Sequence, residues 1–240
     1  MSARELWLVH LGAVPYAEAL AYQRDIARAR IDGRIPQDVL LLLEHPPVVT
    51  LGRTTKAGHL LSSPDLLRAR GVELFEVERG GDVTFHGPGQ LVGYPIIDLK
   101  RHTRDLHWYL RQVEEALIRA MGEYTIVAER TAGLTGVWTR GRKLASIGVH
   151  ARDWVTWHGF ALNVTVDLSY FELMVPCGID GVVMTSMARE LNDDHIAIDD
   201  VTNTVGRAFA RVFDVTASVV GADALPIAPP PSISTVRGPS

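Results

Sequence analysis

The sequence predicts an α+β protein in which mixed β-sheets carry packed helices, and three observations lead there. Apolar runs of strand length recur along most of the chain, while only three stretches have helical spacing. Strands and helices also fail to alternate one for one, as a doubly wound parallel sheet would require.

Taken in order, Leu6 to Leu11 reads as the first strand. After Pro15, helical steps carry Ala17, Leu20, Ala21 and Ile26, with Arg24, Arg28 and Arg30 on other faces and Gly33 as a stop. Apolar runs at Val39 to Leu43, Val48 to Leu51, Val72 to Val77 and Leu91 to Leu99 predict further strands, with a short strand-like stretch from Asp82 to His86 among glycines. From Asp105, Leu106, Leu110, Val113, Leu117 and Met121 recur every three or four residues and Gly122 closes the helix. Strands are expected at Thr125 to Ala128 and Phe160 to Val166, and a last helix from Asp199 or Asp200 carries Val201, Val205, Phe209 and Val212 on one stripe. Residues 222–240 hold five of the thirteen prolines and read as an extended or disordered tail, leaving residues 1–221 as a single catalytic domain.

Composition removes several classes of function. Hydrophobic residues make up 47% and charged residues 22% of 240, the balance of a globular protein. A net charge of −4 argues against a surface built for nucleic acid. The longest apolar run, in DVLLLLEH, is far short of a membrane span, and the N-terminal stretch lacks the apolar core of an export signal, so a cytoplasmic location is expected. With Cys177 alone, neither an internal disulfide nor a cysteine-rich zinc site can form, and the nine histidines show no HExxH spacing. No metal and no cofactor are expected.

Three segments concentrate residues suited to chemistry. The first, RGGDVTFHGPGQLVGYPIIDL from Arg79, places five glycines around a short strand, where a ligand can approach backbone closely; its spacing is not that of a dinucleotide fingerprint. The second, GVWTRGRKLASIGVHARDWVTWHGFALNV from Gly136, lacks the Lys-Ser/Thr pair of a phosphate loop. Alternation there groups Lys143 with Ala145, Ile147 and Val149 on the more apolar strand face, where a partly desolvated amine becomes a more accessible base. Arg130, Arg140, Arg142, Lys143 and Arg152 form a basic strip on an acidic chain, a solvated face or a docking surface for an acidic partner. In the third, VPCGIDGVVMTSM, Cys177 lies between Pro176 and Gly178 and therefore in a turn, where an ammonium or backbone N–H groups could stabilise a thiolate.

These segments, in this order, resemble the bacterial octanoyltransferases of lipoic acid synthesis, over residues from about 6 to 215. Phe85 and Met187 stand where that family usually has tyrosine and leucine. The resemblance implies the cofactor-transferase fold of biotin and lipoate ligases, and an acyltransferase. Such an enzyme passes an octanoyl group from acyl carrier protein to a lysine of lipoyl domains, those of 2-oxoacid dehydrogenase complexes and the glycine cleavage H protein. It implies a thioester on Cys177, with Lys143 favouring the thiolate. Ligand contacts are implied at Arg79, Gly80, Gly81, Asp82, Val83, Thr84, Phe85 and His86, at Ser146, Ile147 and Gly148, and at Gly159, Phe160 and Ala161. Backbone amides of Cys177 and Gly178, or of Gly80 and Gly81, are candidates for the oxyanion. The rival readings are an ATP-dependent lipoate or biotin ligase of the same fold, which would not need Cys177, a non-catalytic acyl-carrier-binding module, and a hydrolytic Cys/His enzyme.

Overall fold

The computed structural model describes residues 4–179 and 181–234. A seven-stranded mixed sheet forms its centre, built from β1 (Glu5–Ala13), β2 (Asp38–Glu44), β6 (Gln90–Ile96), β7 (Val137–Thr139), β8 (Arg142–Arg152), β9 (Val155–Asn163) and β10 (Thr216–Val219). The order is β10-β1-β2-β6-β9-β8-β7, parallel at β10/β1/β2 and antiparallel beyond. A smaller sheet, β4-β3-β5, joins β3 (Val48–Leu51), β4 (Glu73–Glu76) and β5 (Thr84–His86). The α+β expectation is met.

Both faces of the large sheet are covered, which explains the near-continuous apolar runs in β2 and β6. Helices α3 (Leu106–Glu123) and α5 (Ile198–Phe213) pack on one face, where Val113, Leu117, Val205 and Phe209 meet Leu40, Leu144 and Leu162. On the opposite face, α1 (Tyr16–Ile31) brings Ala19, Tyr22 and Ile26 onto Val39, Leu41 and Val92. Asp105 starts α3 by accepting from the N–H groups of His107 and Trp108, which the helix cannot satisfy internally. Two short helices, α2 (Pro64–Ala69) and α4 (Met187–Leu191), carry too few residues for a periodic signal.

The structure departs from the sequence expectations at two places. Thr125 to Ala128 is not a strand: Thr125 turns the chain at φ 58 after α3, Val127 is 84% exposed, and only Glu129 bridges to Trp138. The segment after Gly221 is not detached as far as it is described. Leu225 is buried in the α1 core, Tyr22 donates to the Ala222 carbonyl, and Ser232 N–H donates to Glu18. Residues 235–240 of the expected tail lie outside the described residues.

Candidate active site

Cys177 occupies a single 3₁₀ turn, Pro176–Gly178, with its own backbone in the left-handed region at φ 58 and Gly178 following at φ 65. Proline fixes the entry and glycine accepts the second positive φ without strain, whereas the cysteine bears a cost of roughly 1–2 kcal/mol. The turn is held by Cys177 N–H donating to the Val83 carbonyl at 2.9 Å and Gly178 N–H to that of Val175 at 2.9 Å. Among the described residues, the one hydrogen-bond partner of Sγ is Ser146 Oγ at 3.3 Å.

Lys143 reaches the same place through an irregularity that alternation does not foresee. Val137 pairs with Ala145 but Trp138 pairs with Lys143, so Leu144 is an extra residue in β8. This bulge sends Leu144 and Ala145 together into the α3/α5 core and turns Lys143 to the side of Ser146, not to the apolar face that strict alternation predicts. The side chain is 1% exposed, with Nζ 5.3 Å from the Trp138 ring centroid in a cation–π contact. Its main chain is clamped by Val183 and Thr185, at 2.8 and 2.9 Å, which ties β8 to the segment just after the cysteine turn.

Lys143, Ser146 and Cys177 line one cavity of about 200 Å³, floored by β8 and β9 and roofed by the segment leading into β5. Arg79, Gly81, Asp82, Thr84 and His86 line it from above, with Ser146, Ile147, Gly148, Gly159, Phe160 and Ala161 below. At Gly148 a Cβ would lie 2.6 Å from the Gly80 carbonyl oxygen, so only glycine lets the roof strand cross the floor there. Three expected ligand residues are not in the wall. Gly80 spends its N–H on the Val149 carbonyl, and Val83 and Phe85 point to the far side of β5, where Phe85 stacks on Tyr170 at 4.4 Å.

The expected oxyanion donors are also mostly committed. The N–H groups of Cys177, Gly178 and Gly80 donate to protein carbonyls, which leaves Gly81 N–H as the remaining backbone candidate of the four among the described residues. Arg79 adds a second buried cation, its guanidinium donating to Thr50 Oγ1, the Thr50 carbonyl and the Gly80 carbonyl. Burial lowers its pKa from a value so high that the side chain stays charged.

Sequence reading missed Tyr16, Tyr94, Ile179 and the 133–135 loop as wall residues, and left His158 without a role. The His158 case has a local cause. Its φ of 55 interrupts the regular strand, so that Trp157 Nε1 and His158 Nε2 both approach Glu78 Oε1, at 2.9 and 3.6 Å. Behind the wall, His45 Nδ1 lies 2.7 Å from the Val14 carbonyl and must donate to it, so Nε2 accepts from the Tyr94 hydroxyl at 2.7 Å. Burial pushes His45 down to about 4, and burial with the neighbouring His45 pushes His86 down to about 3.

Both histidines are therefore buried neutral, and unfolding below pH 6.5 takes up protons that the folded state refuses. Their contribution is fully present above pH 6.5 and declines as pH falls from there toward 4 and 3. Thermal melts between pH 7.5 and 4.5 are expected to show Tm falling below pH 6.5, with a shallower fall in His45→Gln; an equal slope in that variant would remove His45 from the effect.

The basic strip dissolves in three dimensions. Arg130 pairs with Glu114 and Glu115, Arg142 makes two bonds to Glu190 at 3.0 and 2.8 Å, and Lys143 is buried. Arg140 and Arg152 stay exposed, 3.9 Å from Glu190 and 3.7 Å from Asp153 respectively. Among the described residues no three histidine, cysteine or carboxylate side chains come together to hold a metal, and no helix is long and apolar enough to cross a membrane.

Residues 15–210 match the lipoyl protein ligase A/B catalytic domain. An octanoyltransferase of Synechococcus elongatus is 47% identical over 215 residues, 90% of each chain. Those of Acidobacterium capsulatum and Solibacter usitatus are each 49% identical, over 86% and 88% of this chain and 89% and 94% of theirs. Among solved structures, lipoate-protein ligase A bound with ATP superposes with a TM-score of 0.75 at 18% identity, over 92% of this chain and 89% of that one. A bi-partite lipoate protein ligase from Thermoplasma acidophilum gives 0.73 at 18%, over 92% and 88%, so the lipoate-ligase fold is shared. A family model spanning most of the chain and relatives at nearly half identity place this protein in the octanoyltransferase family, within the lipoyl protein ligase A/B catalytic-domain group.

Proposed function

We propose that the protein transfers an octanoyl group from octanoyl-acyl carrier protein to a lysine of a lipoyl domain through a thioester on Cys177, in the cytoplasm. The acceptors are the lipoyl domains of 2-oxoacid dehydrogenase complexes and the glycine cleavage H protein. The observation that carries this reading is the convergence of Cys177, Ser146 and Lys143 on one cavity, with the cysteine presented on a strained turn at its edge.

In the first half-reaction the Cys177 thiolate attacks the donor thioester carbonyl. The carbon–sulfur bond to pantetheine breaks, the leaving sulfur takes a proton from the Lys143 ammonium, and Cys177 carries the octanoyl group. In the second half the acceptor amine attacks that thioester, the carbon–sulfur bond breaks to release Cys177 as the thiolate, the amide forms, and the amine's proton passes to the now neutral Lys143. Protons and charges balance over the cycle, and one thioester replaces another without nucleotide. Gly81 lines the cavity and its N–H has no backbone acceptor among the described residues, so it serves as the oxyanion donor in this reading. Burying the six methylenes of the chain contributes at most about 5 kcal/mol at ~0.8 each, enough for the cavity to discriminate among chain lengths.

Incubation with octanoyl carrier protein and a lipoyl domain, without ATP, is expected to octanoylate the acceptor lysine. Dependence on ATP and free octanoate would identify a ligase, and release of free octanoate alone a hydrolase.

A further inference from the structure

We infer that His59, acting through Asp82, is the positioning residue that holds the Cys177 turn in its reactive geometry; this rests on the thioester reading above. His59 grips the turn from two sides. Its carbonyl accepts from Val175 N–H at 2.7 Å, and its ring Nδ1 lies 2.7 Å from Asp82 Oδ2. Around it, Leu60 bridges Met174 and the Leu61 and Ser62 N–H groups donate to the Leu173 carbonyl, so residues 59–62 run as a splint along the approach to the cysteine.

Asp82 transmits the constraint. It is buried, and Oδ1 accepts from Val83 N–H at 2.7 Å, while the Val83 carbonyl receives Cys177 N–H at 2.9 Å. Oδ2 occupies the space a side chain at Gly178 would need, since a Cβ there would lie only 2.5 Å away. A carboxylate in that position fixes where the residue after the nucleophile can go. Its orientation depends on a donor for each oxygen, Val83 N–H for one and the His59 ring for the other. With the ring removed, a buried carboxylate oxygen loses its partner and the group turns to find another. The turn it supports holds a cysteine in the left-handed region, which persists only while its surroundings enforce it.

His59→Ala, His59→Asn and Asp82→Asn test this in the full chain, beside wild type, by rapid-quench acylation with octanoyl carrier protein and by alkylation with iodoacetamide. Asparagine offers an amide N–H near the place of Nδ1. Acylation needs the sulfur aligned with a docked carbonyl, whereas a small reagent reaches it from many directions. His59→Ala is expected to acylate about 30-fold slower, with the donor KM and the alkylation rate within about twofold of wild type. His59→Asn should recover to within about threefold, and Asp82→Asn should fall by about tenfold. Wild-type acylation in His59→Ala, or, should that variant not fold, in Asp82→Asn, overturns the inference. So does a His59→Asn variant as slow as the alanine, or alkylation falling as far as acylation. Failure of wild type itself to acylate would instead overturn the thioester reading.

Discussion

Cys177→Ala is expected to lower octanoyl transfer by at least about a thousandfold, because in the proposed mechanism it removes the atom that carries the acyl group between two substrates. The loss should fall on kcat, since the cavity proposed to take the chain is also lined by Ser146, Gly148, Gly159, Ala161, Arg79, Gly81, Asp82, Thr84 and His86, which the substitution leaves in place. Alanine also accepts the turn about as readily as cysteine, so folding is not expected to account for the loss. Steady-state assays with octanoyl carrier protein and a lipoyl domain measure this, with binding of the donor followed separately. A Cys177→Ala enzyme retaining a tenth of wild-type turnover would mean direct transfer between donor and acceptor, with the cysteine a bystander.

The second large effect is expected at Lys143. The residue is 1% exposed, its Nζ lies over the Trp138 ring, and it has no carboxylate partner among the described residues. A buried charge held this way opposes stability, so its retention calls for a functional explanation. Lys143→Met keeps most of the stem's volume beside Trp138 while removing the charge and the proton. It is expected to leave Tm equal or higher, to slow iodoacetamide alkylation of Cys177 at pH 7, and to lower turnover about a hundredfold, the usual range for a lost general acid or base. Alkylation and turnover both unchanged would take Lys143 out of the mechanism; a large drop in Tm would show that its role is structural.

Much of this site was legible in the residues. Pro176 and Gly178 place Cys177 in a turn by local chemistry alone, and the glycines at 80 and 148 mark where two backbones cross beside the cavity. The side to which Lys143 points was not legible, because a bulge at Leu144 depends on how β7 pairs with β8 and leaves no signature in spacing. The basic strip misled for a similar reason. Counting charges between residues 130 and 152 cannot see Glu114, Glu115 and Glu190, which distant helices bring to Arg130 and Arg142. The short strand β10 and the packing of Leu225 beneath α1 likewise depend on partners over 190 residues away in sequence, so the C-terminal prolines alone suggested a loose tail.

The most direct test of the acyl-enzyme account is the intact mass of the wild-type protein after brief exposure to octanoyl carrier protein, without ATP and without acceptor. The account predicts a single octanoyl adduct, mapped to the peptide containing Cys177, that is discharged when a lipoyl domain is added and appears on its lysine. An unmodified protein that nonetheless transfers octanoyl groups at full rate would contradict it.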